Sequence, residues 1–381
     1  MTEFDRGEFI LTADFHIHPY RGESKNGGRD RLEDGLRVLR QSLEAAQKRA
    51  VPWINLGDFK MPPSIWPQEA LNGALSVMSE FEDVPKLMVP GNHDGLGKWG
   101  SGLEPFAALG VHVPPAPMIY HSWHGLPPFL VWPHGSDWNK YPEFLAQAKK
   151  EKAQLLFGHL FLLGSFLGPQ EVRLPGQGHP VDKLGIGPKG PFVLGCFGDI
   201  HKTQYWRPNP PRPPKWTIGV LPLVKTWGGT ALYPGSPYQQ NWGEREDPAK
   251  GFLHVNLKKG EITPIPSTAP RFILLDYSET DLKKVIPVLV DGDFVRIILP
   301  ATVSKQETFL AHALKGTPRT LWVNVAPQKT EQTERAKDLH AGLPSGVLLE
   351  KYVQTRPFPD EFKVSHDQIL QAGKSLLEGA E

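Results

Sequence analysis

Cysteine is almost missing from this chain: Cys196 is the only one in 381 residues. An internal disulfide is therefore excluded, and a reducing compartment such as the cytoplasm is expected. Because Cys196 lies within the apolar run PFVLGCF (191–197), we predict a buried core residue rather than a nucleophile. The first residues, MTEFDRGEFI, lack a basic segment followed by an apolar one, so no secretion signal is expected.

Long apolar runs are missing as well. The longest, LLFGHLFLLGSFLG (155–168), is shorter than the ~20 residues of a membrane span and is interrupted by His159. A membrane segment is therefore not expected. A large excess of positive charge is also absent, because the formal net charge is +1. This balance excludes a strongly basic, histone-like protein but not a DNA enzyme whose positive charge is local.

Acidic residues are absent from one stretch, residues 200–243. The same stretch contains the cations and aromatic rings Lys202, Arg207, Arg212, Lys215, Lys225, Tyr205, Trp206, Trp216, Trp227, Tyr233, Tyr238 and Trp242. Cations interleaved with rings suit contact with a phosphate backbone and stacked bases. A proline-rich loop (NPPRPP, 209–214) with packed aromatic residues is the other interpretation, and the sequence leaves both open.

Apolar runs alternate with segments of helical periodicity over the first two thirds of the chain. The helical spacing is carried by Leu32, Leu36, Leu39, Leu43 and Ala46, and again by Leu71, Ala74, Leu75 and Met78. The apolar runs between and after them are FILTA, PWINLGD, KLMVPGNHD, PPFLVWPHG, AQLLFGH and PFVLGCFGDIH. This alternation predicts a layered α/β fold, a β-sandwich with flanking helices.

The length of the chain favours two domains. The segment PIPSTAP (264–270) is predicted to be a linker, which gives a large domain over 1–266 and a small one over 267–381. In the small domain, RFILLDY, DFVRIIL and TLWVNV are expected to be strands, with helical segments at 279–289 and 303–315. The last residues, SHDQILQAGKSLLEGA, are predicted to form a helix that packs on its own domain or docks a partner.

Polar residues follow five of the apolar runs, as DFH, GD, GNHD, GH and GDIH. They supply Asp14, His16, Asp58, Asn92, His93, His159, Asp199 and His201. Carboxylates, imidazoles and one amide oxygen form a ligand set for two divalent cations, which need a shared anionic bridge. Asp58 fits that bridge because Gly57 lets the backbone come close to the metals. Four further histidines of this domain, His121, His124, His134 and His179, are expected to be solvated or structural. His254, His312, His340 and His366 are expected to be surface residues.

This ordered set of motifs resembles the calcineurin-like metallophosphoesterase superfamily. Within it, the chain is similar to the SbcD-type nuclease subunits of DNA double-strand-break repair, including their phage relatives. The narrower resemblance is carried by IHK followed by glutamine, by YPGSPYQQNWGE (233–244) and by KGFLHVNL (250–257). It covers the whole chain and implies a metallophosphoesterase domain followed by a small α/β capping domain.

The resemblance also implies an activity and its residues. One metal is held by Asp14, His16, Asp58 and His201, and a second by Asp58, Asn92, His159 and the residue at 199. His93 is the catalytic imidazole. The implied activity is a metal-dependent DNA nuclease, a double-strand exonuclease and also a single-strand endonuclease. The implied partners are DNA, an SbcC-type ABC ATPase with a coiled coil and a second copy of the chain. The implied location is the cytoplasm, or the host cytoplasm if a phage encodes the chain.

Two positions depart from that family pattern. Asp199 stands where the family usually has histidine, and Met61 where it commonly has a second, phosphate-facing histidine. A third carboxylate favours manganese, or else magnesium, over zinc. Two other functions stay open: a two-metal phosphatase or cyclic-nucleotide phosphodiesterase, and a non-catalytic scaffold whose metal site has drifted. The predicted DNA contacts are Lys202, Arg207, Arg212 and Lys215.

Overall fold

The structure is a computed structural model that describes residues 7–19, 31–61, 65–95, 101–167, 172–173, 178–187, 189–209, 212–218, 229–245, 250–276, 293–299, 320–325 and 370–371. The strands are β1 (Glu8–Thr12), β2 (Trp53–Asn55), β3 (Lys86–Met88), β4 (Val111–His112), β5 (Met118–Tyr120), β6 (Phe129–Trp132), β7 (Leu155–His159), β8 (Phe166–Leu167), β9 (Val172–Arg173), β10 (Leu194–Gly198), β11 (Gln204–Asn209), β12 (Arg212–Ile218), β13 (Thr230–Tyr233), β14 (Gly251–Asn256), β15 (Glu261–Pro266), β16 (Phe272–Asp276), β17 (Phe294–Leu299) and β18 (Thr320–Val325). The helices are α1 (Arg31–Arg49), α2 (Gln68–Ser79), α3 (Glu104–Ala107) and α4 (Tyr141–Lys150), with short 3₁₀ helices at Trp138–Lys140, Val181–Leu184 and Trp242–Glu244.

Two large mixed sheets form the centre of the molecule. The first has the strand order β15-β14-β1-β2-β3-β4, and β1 to β4 run parallel. The second has the order β12-β11-β13-β10-β7-β6-β5, with β6, β7, β10 and β13 parallel. Among the described residues, no helix has the length and hydropathy of a membrane span.

Side-chain alternation along the strands divides the core into layers. Phe9 and Leu11 of β1 pack between the two sheets, where the ring of Phe9 meets that of Phe157 edge-on at 5.6 Å. Ile10 points the other way and packs with Leu39 and Leu43 of α1, as the period of a strand requires. On the far side of the second sheet, the core includes residues of β6, β7 and α4. The predicted layered α/β fold with flanking helices is therefore confirmed.

The predicted helix around Leu39 is confirmed as α1. Leu39, Leu43 and Ala46 are fully buried, because their spacing places them on one face of the helix. Each buried leucine contributes about 1.5–3 kcal/mol of hydrophobic stabilisation. The same face carries Ser42, whose Oγ accepts a hydrogen bond of 2.9 Å from Nε1 of Trp53. Helix α1 therefore fixes the position of β2, the strand that leads to Asp58.

The loops that follow β1 and β2 continue side by side beyond the ends of the strands. The backbone N–H of Asp14 donates to the carbonyl of Gly57, and that of His16 donates to the carbonyl of Asp58, both at 2.9 Å. In the second sheet, Gly198 pairs with His159 at the ends of β10 and β7. Parallel pairing thus brings the carboxyl ends of these strands to one edge, where binding and active sites lie in α/β folds.

The predicted linker at 264–270 is partly wrong, because β15 extends through its first residues to Pro266. Strand β15 lies at the edge of its sheet, opposite β14, with Pro264 and Pro266 paired with Leu253 and Gly251. An edge strand tolerates proline because half of its N–H groups need no partner. The three strands predicted in the small domain form a separate parallel sheet, β16-β17-β18. The division into two domains stays a prediction, and the helices expected at 279–289 and 303–315 lie outside the described residues.

A buried arginine joins the start of α1 to this third sheet. The guanidinium of Arg31 lies over the rings of Tyr238, Phe272 and Phe294 at 5.0–5.2 Å. Arg31 also pairs with Asp34 at 3.3 Å, and the two side chains are 1% and 0% exposed. Tyr238 belongs to the segment that precedes Trp242–Glu244. Arg31 therefore connects the third sheet with a loop that reaches the candidate site.

Candidate metal centre

Four of the seven non-glycine residues with positive φ in the described part of the chain are predicted ligands. Asp14, His16, Asp58 and Asp199 have φ values of 53°, 47°, 52° and 94°. A side chain at positive φ costs roughly 1 kcal/mol or more, so such residues persist only where the surrounding structure holds them. Their concentration at the ends of β1, β2 and β10 indicates a functional site.

Two glycines allow these strand ends to come together. A Cβ at Gly57, whose φ is 97°, would lie 2.4 Å from Nδ1 of His159. A Cβ at Gly91 would lie 2.3 Å from Oδ1 of Asp58. Both distances are far below van der Waals contact, so any larger residue would push Asp58 away from His159.

One group of ligand atoms lies between β1 and β10. Asp14, His16 and His201 each offer an atom, and these atoms lie within 4.8 Å of one another. Nε2 of His16 and Nε2 of His201 are 3.0 Å apart. The three residues are those assigned to the first metal together with Asp58, and the structure brings them together.

Asp58 lies between this group and a second one. Its Oδ1 is 3.4 Å from Nε2 of His159, whereas its Oδ2 is 3.7 Å from Nε2 of His16 and 3.9 Å from Nε2 of His93. Asp14, Asp58 and His159 form a second group of convergent ligand atoms, and His16, Asp58 and His93 a third. The two carboxylate oxygens of Asp58 thus face opposite halves of the site, which is the position of a bridging ligand.

Asn92 and Asp199 complete the half that contains His159. Oδ1 of Asn92 is 2.8 Å and Oδ1 of Asp199 is 3.8 Å from Nε2 of His159. The backbone N–H of Asp199 donates to Oδ1 of Asp14 at 3.0 Å, and its side chain is 32% exposed. Asp199 therefore lies within the site, with its carboxylate turned towards the second half rather than away into solvent.

The donor and acceptor pattern fits cations. Nδ1 of His159 donates to the carbonyl of Leu56 at 2.7 Å, which directs Nε2 towards the oxygens of Asp58 and Asn92. Oδ2 of Asp14 is buried and has no hydrogen-bond partner in the described part of the chain. A buried carboxylate oxygen without a donor is costly unless a positive charge lies beside it. The residues present therefore fit two divalent cations.

Without cations, protons neutralise part of this charge. Burial opposes a charge on His159, but the carboxylates of Asp58, Asp14 and Asp199 outweigh it and raise its pKa to about 9. Burial also opposes ionisation of Asp58, yet His159, His16 and the backbone N–H of His93 lower its pKa overall. Burial, followed by the neighbouring His201, lowers the pKa of His16 to about 3. His159 would therefore have to release this proton before its Nε2 could bind a cation.

Sequence reasoning missed Glu244, which holds His201 in place. Nδ1 of His201 donates to Oε1 of Glu244 at 2.7 Å, so its Nε2 is directed towards His16. Oε2 of Glu244 lies 3.0 Å from Nζ of Lys250 and accepts from Ser236 Oγ at 3.2 Å. Although burial favours the neutral acid, Lys250 and His201 lower the pKa of Glu244 to about 2. Two signals were available: Glu244 is the first acid after the acid-free stretch, and it ends the segment YPGSPYQQNWGE (233–244) that carries the family resemblance.

A second missed group holds the turn that carries His93. The buried carboxylate of Asp94 accepts from the backbone N–H groups of Phe59 at 2.9 Å and Gly91 at 2.8 Å. Nζ of Lys60 donates to the carbonyl of His93 at 2.6 Å, and the N–H of His93 donates to Oδ1 of Asp58 at 2.8 Å. The loops after β2 and β3 are therefore locked together, which fixes His93 beside Asp58.

The predicted DNA contacts have different surroundings. Lys202 is only 7% exposed, so we remove it from the set that could touch a phosphate backbone. Arg207 is half-buried and lies on β11, opposite Lys215 of β12 in the antiparallel register. Arg212 pairs with Asn209 in the same antiparallel register. Among the other predictions, the buried position of Cys196 is confirmed, and His254 is half-buried and bonded to Glu8 at 2.9 Å.

Comparison with known proteins finds distant structural neighbours. A purple acid phosphatase from yellow lupin (Lupinus luteus) seeds has 15% sequence identity and a TM-score of 0.42, and the match covers 68% of this chain and 51% of that one. A metallophosphoesterase from Sphaerobacter thermophilus has 14% identity and a TM-score of 0.33, with 74% and 95% covered. The chain spans about half the length of the lupin phosphatase. No family profile and no curated relative match the sequence. Likeness at this level says nothing about activity, so the function proposed below depends on the residues of the site.

Proposed function

We propose that the chain is a metal-dependent phosphoesterase with two adjacent cation sites that share Asp58. The observation that carries this proposal is the position of Asp58, with Oδ1 towards His159 and Oδ2 towards His16 and His93. A bridging carboxylate between two sets of N and O ligands is the arrangement of two-metal hydrolases. A scaffold with a drifted site is disfavoured, because drift would not preserve strained backbone at several strand ends.

We assign the residues to the two cations as the family resemblance implies. Asp14, His16, Asp58 and His201 would hold the first, and Asp58, Asn92, His159 and Asp199 the second. Bound divalent cations supply Lewis acidity towards a phosphoryl oxygen and lower the pKa of water. Asp199 offers a hard carboxylate oxygen at the second site, which supports manganese or magnesium as the metal.

His93 is placed to move a proton at the substrate. Its side chain is 24% exposed, in contrast to the buried His16, against which its ring packs edge-on at 4.8 Å. The hydrogen bonds to Asp58 and from Lys60 hold its backbone on both sides. A fixed, partly exposed imidazole beside the cation ligands is suited to protonating the leaving oxygen of a phosphoester.

For the substrate class, we propose DNA. The β11–β12 hairpin begins just after His201 and places Arg207 opposite Lys215, within the acid-free stretch of the sequence. Cations next to a hydrolytic centre support contact with a phosphate backbone. The resemblance to SbcD-type subunits supports the same substrate, a homodimer and an SbcC-type ATPase partner.

The test is hydrolysis of end-labelled duplex DNA and of bis-p-nitrophenyl phosphate with manganese, magnesium or chelator. We expect manganese-dependent cleavage of both by the wild type and none by Asp58→Asn, while the exposed control Asp182→Asn keeps wild-type activity. Cleavage of the small diester with intact DNA would replace the nuclease by a small-substrate phosphodiesterase. Inactivity on both with manganese bound, or unchanged activity of Asp58→Asn, would contradict the proposal.

A further inference from the structure

A further histidine lies beside the second half of the site. His134 follows β6, and β6 is the parallel neighbour of β7, which ends at His159. The two imidazole rings are 6.1 Å apart between centroids and nearly perpendicular, at 83°. His134 itself is exposed. The sequence predicts only that His134 is solvated or structural, and its position beside His159 makes a further role worth testing.

The backbone of His134 is fixed to the loop that carries Asn92. Its N–H donates to the carbonyl of Pro90 at 3.0 Å, directly before Gly91 and Asn92. His134 therefore lies between the loops after β3 and β7, which supply Asn92 and His159. A backbone hydrogen bond, and not only the side-chain conformation, therefore positions His134 beside the half of the site that contains His159.

Hydrogen bonds and a ring contact hold the rest of the loop that follows His134. Gly135 takes the turn at a φ of 76°, and Ser136 Oγ donates to the carbonyl of Pro133 at 2.7 Å. Asp137 Oδ1 accepts from the N–H of Asn139 at 3.0 Å and so begins the helical turn that contains Trp138. The Trp138 ring stacks on that of His179 at 3.8 Å. The loop is thus held at both ends, which fixes the backbone position from which the His134 side chain extends.

The charges that face His134 belong to the proposed metal centre. Burial and then His159 lower the pKa of His134, whereas the carboxylates of Asp199 and Asp58 oppose that shift. An imidazole carries at least one N–H in either protonation state, so His134 offers a donor to an anionic oxygen bound beside His159.

We propose that His134 contacts the substrate and donates a hydrogen bond to a non-bridging oxygen of a phosphate group bound at this site. The proposal rests on the proposed phosphoesterase function. His93 lies against His16 on one side of Asp58, and His134 lies against His159 on the other. A phosphate group held over Asp58 meets one imidazole on each side.

The experiment measures binding of inorganic phosphate to the manganese-loaded protein by isothermal titration calorimetry. We expect His134→Ala to weaken phosphate binding by roughly tenfold or more, since a hydrogen bond to a charged group is lost. His134→Asn keeps an N–H donor and should recover part of the loss. The control is His121→Ala, an exposed histidine that pairs with Glu151 at 3.1 Å. Manganese affinity and melting temperature should be unchanged in all three variants.

The outcomes separate this proposal from the proposed function. Equal phosphate affinity of His134→Ala and wild type would overturn the role of His134 and leave the phosphoesterase intact. A loss of manganese binding in His134→Ala would overturn it too, because His134 would then support the metals rather than the substrate. If the manganese-loaded wild type bound no phosphate and cleaved no phosphoester, both proposals would fall.

Discussion

Replacing Glu244 with glutamine tests how the site holds its first cation. Glu244 accepts from Nδ1 of His201 through one oxygen and lies against Lys250 and Ser236 through the other. It also accepts from the backbone N–H of Gln240 at 3.2 Å. Glutamine has the same shape but only one acceptor oxygen. Whichever way its amide is turned, an NH₂ group must face a donor, either His201 or the others.

Two separate effects, one on metal affinity and one on stability, follow from this geometry. Loss of a carboxylate that orients a metal-binding histidine costs about 10–100-fold in metal affinity, or about 1.4–2.7 kcal/mol. Breaking a buried ion pair costs about 3–5 kcal/mol of stability. In Glu244→Gln, Lys250 keeps its hydrogen bonds to the carbonyl of His201 and to Ser236. We therefore expect the free energy of unfolding to fall by only about 2 kcal/mol.

Manganese titration by calorimetry and urea unfolding of the metal-free protein measure the two effects separately. The chain offers a matched control in Glu8→Gln, which alters another carboxylate–histidine pair, with His254, away from the proposed ligands. Glu8→Gln should leave manganese affinity unchanged. Wild-type affinity and stability in Glu244→Gln would refute the role assigned to Glu244.

Three more predictions concern charge at and near the site. Because the pKa of His159 is raised to about 9, its proton is bound at pH 7 and must leave when metal binds, so manganese affinity should rise with pH up to about 9. Calorimetry in buffers of different ionisation enthalpy should show proton release on manganese binding. The absence of proton release would contradict this prediction. Asp199→His removes a hard anionic ligand and should shift the ratio of zinc to manganese affinity towards zinc, which competitive titration measures and an unchanged ratio would disprove. Arg31→Met breaks a buried ion pair and should lower the free energy of unfolding by about 3 kcal/mol in urea, whereas a change below about 1 kcal/mol would mean that the Arg31 cluster adds little.

The strand ends could be predicted from the sequence because their signal is local. An apolar run followed by glycine and a carboxylate, as at Gly57 and Asp58, is visible in a few adjacent residues. Parallel pairing then brings such ends together whatever lies between them. For the same reason, the layered fold and helix α1 could be predicted before the structure was known.

The supporting residues could not be predicted because their partners are distant in sequence. Glu244 acts on a histidine 43 residues away, and its role depends on a tertiary contact. Arg31 and Lys202 are cations, which are usually solvated, yet both are buried here. His134 follows a strand as the ligands do, but an isolated histidine in a loop carries no pattern that separates it from a solvated one.

The most direct test of the account is the number of metal ions per chain. Purified protein would be saturated with manganese and desalted, and metal and protein would then be quantified by mass spectrometry and amino-acid analysis. A bridging role for Asp58 predicts two manganese ions per wild-type chain and at most one per Asp58→Asn chain, because the bridge needs both carboxylate oxygens. A wild type that binds one ion or none, or an Asp58→Asn variant that keeps two, would contradict the shared site around Asp58.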